Sequence, residues 1–349
     1  MQEIADHFLL QKEPARASTY AQLPPIWWSD QARRWFVTEP GLIRQIMSDR
    51  GFSVPDYSVE VIMDRLNIDL AASMKMRDYL PLAWEGEKHK ALRNRMTRII
   101  AANTRPACEL FQDQLRKNLS AALAKGCFCF VQDVIRPTMR ATLLRLSGYP
   151  DPFDPDLLAI EVTAHIFDDR VSPRKRKHAN EIIRTIVEKL PDEMTEEDKY
   201  SVAALNVVGS NSLLATLAQS LLHILSPNSG TMSSQMNWKI DMPVTGLPLI
   251  EKVCREEREL QGHTIRPGDQ LRLFIETGGL SDGTQGYSDL FFAAGPHRCS
   301  GMAVSRQIWA ILGDEMSRIE KKFRVLQTSE RQGDYVFNFL DKLEVEIHA

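Results

Sequence analysis

The chain has 349 residues, 43% of them hydrophobic and 26% charged, enough to bury a large core as one big domain or two ordinary ones. Its formal net charge of −3 argues against nucleic acid as the main partner, because phosphate binding wants a basic surface. Five cysteines, an odd count at irregular spacings, fit a reducing cytosol better than a disulfide framework.

The first stretch, MQEIADHFLLQKEPAR, has neither a basic start followed by an apolar core nor a cleavage site, so no signal peptide is expected. Trp35–Thr38 reads as a short strand, and Pro40 opens a helix at its first turn. Residues 58–83 have mixed periodicity and carry Met63, Met74 and Met76, adaptable side chains that suit a substrate cover or plain packing. From Glu85 the sequence EGEKHKALRNRMTRIIAANT is strongly helical. It sets His89 and Arg93 at i and i+4, which aims two donors at one point; taken alone, such a pair also reads as a solvated face. Two amphipathic segments follow, about 106–125 and 131–147, ending at the turn GYPDPFDPD. Helices with polar faces fill 156–190, where the run Arg174 to Lys177 reads as a solvated face.

Thr195-Glu-Glu-Asp198 is a capping box that starts a long helix, roughly 196–225, apolar on nearly all sides and therefore buried. Asn206, Ser210, Asn211, Ser212, Thr216 and Gln219 interrupt its apolar run, so no membrane span is expected. TGGLSDGTQGYSDL, residues 277–290, is a Gly/Ser-rich linker, and the chain ends in a strand-like hairpin around Phe337–Ile347. Cys127 and Cys129 form only a C-x-C pair without a second pair at finger-like spacing, so no zinc site is expected.

The stretch that organises the rest is LFFAAGPHRCSGMAVSRQIWA, residues 290–310. Cys299 sits there between Gly295 and Gly301, which permit turn conformations and close approach, just before a helix from about Met302. A helix N-terminus stabilises a thiolate. The alternative is a buried structural thiol.

Phe292, Gly295, His297, Cys299 and Gly301 stand as F-x-x-G-x-H-x-C-x-G, which resembles the heme-binding loop of the cytochrome P-450 family. The resemblance runs in order over residues 25–349: Asp49, Phe52 and Ser53 match a D-x-x-F-S turn, His89 and Arg93 an H-x-x-x-R pair. Residues 247–276 look like the family's two-stranded unit, with a turn at Arg266-Pro-Gly-Asp269. The resemblance implies a mainly α fold with a small β subdomain, one heme-thiolate domain over residues 1–349, and heme b as cofactor. It implies Cys299 as the axial metal ligand, with His89, Arg93, Lys252 and His297 neutralising the propionates. Gly209, Asn211 and Ser212 would line the distal oxygen site.

The chain also departs from the family. Where the family carries A-G-x-(D/E)-T, the residues are Val208-Gly209-Ser210-Asn211-Ser212, so an amide replaces the acid and serine the threonine. Where the E-x-x-R helix should end, Lys239-Ile240-Asp241-Met242 stands instead; Glu251 and Arg255, four apart, are no substitute. The third arginine of that triad and much of the meander are gone as well. Lys252 replaces an arginine, giving a point charge in place of a fork. Ser305-Arg306 match the family's A-R step, while Ile308 replaces its usual glutamate.

The function implied is a monooxygenase-type oxidoreductase, an oxidative tailoring enzyme for a small or medium organic substrate in bacterial secondary metabolism. It would be cytoplasmic, free of membrane, and supplied by a ferredoxin-like or flavin redox partner. Two other readings stay open. Asn211 and Ser212 suit a heme-thiolate enzyme that is no monooxygenase, working by peroxide-driven oxidation, dehydration, rearrangement or bond formation. Loss of the triad suits a degenerate, non-catalytic member that binds a protein partner.

Overall fold

The computed structural model describes residues 22–55, 68–149, 166, 171–279, 288–331 and 336–348. Met63, residues 150–156 of the expected turn and residues 280–287 of the linker lie outside them. The architecture is mainly α with a small β-rich part, and the chain groups into two compact units. One comprises Met1–Asp56, Leu82–Gly86 and Leu247–Cys299; the other Tyr57–Pro81, Glu87–Gly246 and Ser300–Ala349.

The first unit holds a five-stranded sheet in the order Ile26–Ser29, Arg34–Val37, Gln270–Leu273, Ile250–Cys254, Phe52–Ser53. Only the pairing of Arg34–Val37 with Gln270–Leu273 is parallel. Helix Pro40–Ser48 starts at the expected proline, and the Glu39 carboxylate caps it by accepting from the Gly41 and Leu42 amides. Its buried Leu42, Ile43, Ile46 and Met47 form one core with Val37, Phe52, Leu271, Leu273 and Ile275. After it, Asp49 accepts from the Gly51 amide at 2.7 Å and from the Arg258 guanidinium at 2.8 and 3.1 Å. That fork–carboxylate pair is the physical content of the D-x-x-F-S turn.

Residues 247–276 contain more than the expected two strands. Ile250–Cys254 pairs with Gln270–Leu273 across the Arg266–Asp269 turn, and Arg258–Leu260 with His263–Ile265 makes a separate hairpin between them. Glu251 binds Arg34 and Arg272, while Arg255 binds the Ser53 hydroxyl. Glu251 and Arg255 thus serve different partners.

In the second unit, helix Gly86–Leu123 runs through Pro106, where a break between two segments was expected. Pro106 removes one helical hydrogen bond and crowds the preceding turn, at a cost of about 3 kcal/mol. The buried stripe Ile100, Ala107, Phe111, Leu115 and Leu119 continues across it and offsets that cost. Helix Glu196–Leu225 has the expected bounds, with the Thr195 hydroxyl accepting from the Asp198 amide at 3.2 Å. It is long and apolar enough to cross a membrane, and 72% of its most apolar window is buried inside the protein.

Among the described residues between 226 and 249 there is no α-helix, only a 3₁₀ turn at Ser233–Gln235. Packing on helix Met302–Ser317 holds this stretch. The Trp309 indole donates to the Ile240 carbonyl at 2.8 Å, Arg306 pairs with Asp241 at 2.8 Å, and Gly313 lets the Trp238 carbonyl come close. The C-terminal hairpin is longer than expected, Lys322–Glu330 with Leu340–His348, and Cys127–Cys129 adds a third strand to it.

Candidate functional site

The cysteine loop lies in the first unit as far as Cys299. Ala293 and Gly295 both take left-handed backbone, φ 59° and 66°. At Gly295 a Cβ would stand 2.4 Å from the Met47 carbonyl oxygen, so side chains are excluded both by conformation and by space. The Ala294 amide rests on the Met47 sulfur at 3.2 Å, which lays the loop against the end of helix Pro40–Ser48. The loop closes on itself through the Cys299 amide, 2.7 Å from the Phe292 carbonyl, and the Cys299 thiol is exposed and free of disulfide. Gly301 differs from expectation: at φ −87° its backbone is ordinary, so conformation alone does not call for glycine there.

His297 is buried, and its Nε2 lies 3.0 Å from Glu85 Oε2, while Glu85 Oε1 accepts from the Val54 amide at 3.0 Å. Burial pushes the Glu85 carboxyl up, but the His297 and Val54 hydrogen bonds, with positive charge at His297 and Lys252, together hold it at about 2. Lys252 is 4% exposed, and burial pushes its ammonium pKa down, against the weaker pull of Glu85. No ion-pair partner stands within 4 Å of that ammonium among the described residues. His297 thus contacts Glu85 directly, whereas Lys252 feels the same carboxylate only through its charge. Reading the sequence alone passed Glu85 over, although it stands four residues before His89 just as His89 stands four before Arg93.

In the second unit His89 is buried and Arg93 half-buried, one turn apart on helix Gly86–Leu123. On helix Glu196–Leu225 the residues Leu205, Val208, Gly209, Ser212, Thr216 and Gln219 are only partly covered, a stripe spaced at one turn along the middle of the helix. A Cβ on Gly209 would meet nothing within 4 Å, so space opens beside the helix there. The Ser212 hydroxyl donates back to the carbonyls of Val208 or Gly209, at 3.3 and 3.4 Å. Asn211 is 1% exposed and Asn206 0%, and all four of their amide atoms lack a hydrogen-bond partner among the described residues. In the sequence Asn206 stands out only as an interruption of the apolar run.

No protein-family model matches this sequence, and no curated protein matches it. Solved structures do. P450BioI, solved with an acyl carrier protein bearing hexadec-9Z-enoic acid, superposes with a TM-score of 0.77 over 99% of this chain and 100% of its own, at 17% identity. P450epoK bound to epothilone B gives 0.72 over 98% of each chain at 16% identity. CYP109B1 from Bacillus subtilis gives 0.66 over 95% of this chain and 98% of its own at 14% identity. The chain has the cytochrome P-450 fold. At these identities the likeness speaks for the fold alone. Within the cytochrome P-450 fold, this chain lacks an α-helix in the described part of residues 226–249, in keeping with the missing E-x-x-R.

Proposed function

We propose that this chain is a heme-thiolate oxidoreductase of the monooxygenase type, a single domain over residues 1–349 in which the Cys299 thiolate would hold the heme iron. The observation that carries the reading is the loop F-x-x-G-x-H-x-C-x-G, seated through a glycine position that admits no side chain, in a chain of this fold. Among the described residues no three His, Cys, Asp or Glu side chains gather around a point, so a metal here suits a chelating cofactor with one protein ligand. The residues fit heme b. The buried Lys252 ammonium suits a carboxylate of the cofactor, and the space beside Gly209 suits a distal ligand.

In this reading Lys252, His297, His89 and Arg93 bind the propionates, while Phe292, Gly295 and Gly301 shape the loop. Bound heme supplies activation of dioxygen or peroxide, and a thiolate ligand favours O–O cleavage. Asn211 cannot release a proton and is buried beside the partly covered stripe, so in this reading the Ser212 hydroxyl next to Gly209 passes the proton on. The substrate is a small or medium organic molecule of bacterial secondary metabolism, and electrons come from a ferredoxin-like or flavin partner in the cytoplasm. A second reading, peroxide-driven oxidation, is favoured by the same turn: with Asn211 unionisable and Ser212 bonded to its own backbone, an oxidant that brings its own protons suits the site.

The test is an absorption spectrum of the purified protein, oxidised and then reduced under carbon monoxide. A red-shifted thiolate–carbonyl band supports the reading. Absence of heme, or a band of neutral-thiol or histidine type, refutes it and favours a partner-binding role. Substrate-dependent consumption of electrons and oxygen then separates the monooxygenase from the peroxide-driven enzyme.

A further inference from the structure

We infer that Glu85 is a positioning residue: its carboxylate grips His297 through one oxygen and the Val54 backbone through the other, and so fixes the cysteine loop in register for its cofactor. The inference rests on the heme-thiolate reading and deepens it. Its three parts come from stretches far apart in the chain: Glu85 lies 31 residues from Val54 and 212 from His297, and both contacts measure 3.0 Å.

Local backbone explains how a residue at the edge of a long helix comes free to do this. Gly86 has φ +65°, a left-handed turn that takes Glu85 out of the helical path before helix Gly86–Leu123 begins. Both of the Glu85 oxygens are engaged in the first unit, one by a ring nitrogen and one by a backbone amide.

The loop's other anchors include an exposed ion pair, Arg298 with Asp289 at 3.5 Å, and uncharged contacts. Gly295 abuts the Met47 carbonyl, Ala294 rests on the Met47 sulfur, and Cys299 bonds to Phe292. None of them fixes the His297 side chain. His297 stands two residues before Cys299, so orienting its buried ring also constrains the peptide that presents the thiol.

The experiment compares wild type, Glu85→Ala, Glu85→Gln and Glu85→Asp. Heme loss to an acceptor protein, the reduced carbonyl spectrum and the midpoint potential are measured, alongside the melting temperature of the apoprotein. Glu85→Ala is expected to lose heme about tenfold faster or more, the usual effect of removing an outer-shell partner. A larger share of its carbonyl complex should show the neutral-thiol band, and Glu85→Asp should recover part of the difference. Wild-type retention and spectrum in Glu85→Ala overturn the inference. So does a loss that merely tracks a lowered melting temperature and is not rescued by aspartate.

A second arm needs no heme: iodoacetamide labelling of the apoprotein, read at the Cys299 peptide by mass spectrometry with exposed Cys127 as internal control. Glu85→Ala should change labelling at Cys299 several-fold and leave Cys127 alone; equal rates at Cys299 overturn the inference. If the wild type binds no heme, the heme-thiolate reading fails while the labelling arm still decides the role of Glu85 in the loop.

Discussion

Gly295→Ala tests whether the loop is pinned by its backbone. Two costs separate cleanly. The left-handed conformation, φ +66°, disfavours an alanine by about 1–2 kcal/mol. The new Cβ would also stand 2.4 Å from the Met47 oxygen and 2.9 Å from the Ser48 Cα, backbone atoms that no rotamer change can clear. Moving the end of helix Pro40–Ser48 or lifting the loop resembles overpacking, about 1–3 kcal/mol. Gly262 supplies the control in the same unit: its φ is +78°, but a Cβ there meets nothing within 4 Å. Gly262→Ala should therefore lose about 1–2 kcal/mol and Gly295→Ala about 2–5 kcal/mol. Urea unfolding measures both, provided the slope m is unchanged. Equal losses for the two variants would refute the reasoning, because the loop would then leave Met47 at no cost.

Asn206→Leu and Asn211→Leu each replace a buried amide that has no partner among the described residues by an apolar group of similar size, and each should stabilise the protein by about 1–3 kcal/mol in the same assay; a loss at either position would mean that its amide has a partner, water included. Lys252→Met removes a buried ammonium that has no ion pair among the described residues, so the protein should gain stability at neutral pH, and on the heme-thiolate reading it should also hold heme less well. Because the folded pKa of Lys252 lies below its unfolded value of 10.5, that gain should shrink as pH rises toward 10.5, and a gain independent of pH would count against the burial argument. For Glu85 the sign is opposite: a folded pKa of about 2 against 4.5 gives stability that is complete above pH 4.5 and lost as pH falls toward 2. The Glu85 side chain is 44% exposed, so solvent screening cuts this to about 1 kcal/mol. Glu85→Gln should flatten that acid limb of the stability curve, and an unchanged limb would show the pair to be worth nothing.

What could be read from sequence was whatever a local rule decides. The bounds of helix Glu196–Leu225 follow from Thr195 and a run that is apolar all round, and Pro40 marks its helix because a proline fits a first turn. The Pro106 boundary failed for the complementary reason. A proline's local cost shows in the sequence, whereas the stripe of Ile100, Ala107 and Phe111 that outweighs it gains its energy from distant partners. Glu85 escaped notice likewise, since nothing near it in sequence says that its partner is His297. The cysteine loop was legible residue by residue, yet the need for glycine is steric at Gly295 and absent from the backbone of Gly301.

Loss of E-x-x-R invites the expectation of a slack stretch at 226–249, and the kind of brace found there argues otherwise. The Arg306–Asp241 pair is about one-third exposed on both sides, 34% and 40%, so it contributes at most about 1 kcal/mol. The indole contacts differ in kind. Trp238 and Trp309 are buried, and each donates its ring N–H to a backbone carbonyl, Ser233 and Ile240 respectively, at 2.8 Å. Each buries a large apolar ring and satisfies its one polar atom, a combination that ion pairs at a surface cannot match. Gly313 then brings the backbone of Trp238 against helix Met302–Ser317 more closely than any side chain would allow. The stretch is held by packing rather than by charge, so its seating on that helix should survive high salt and the loss of Arg306 alike.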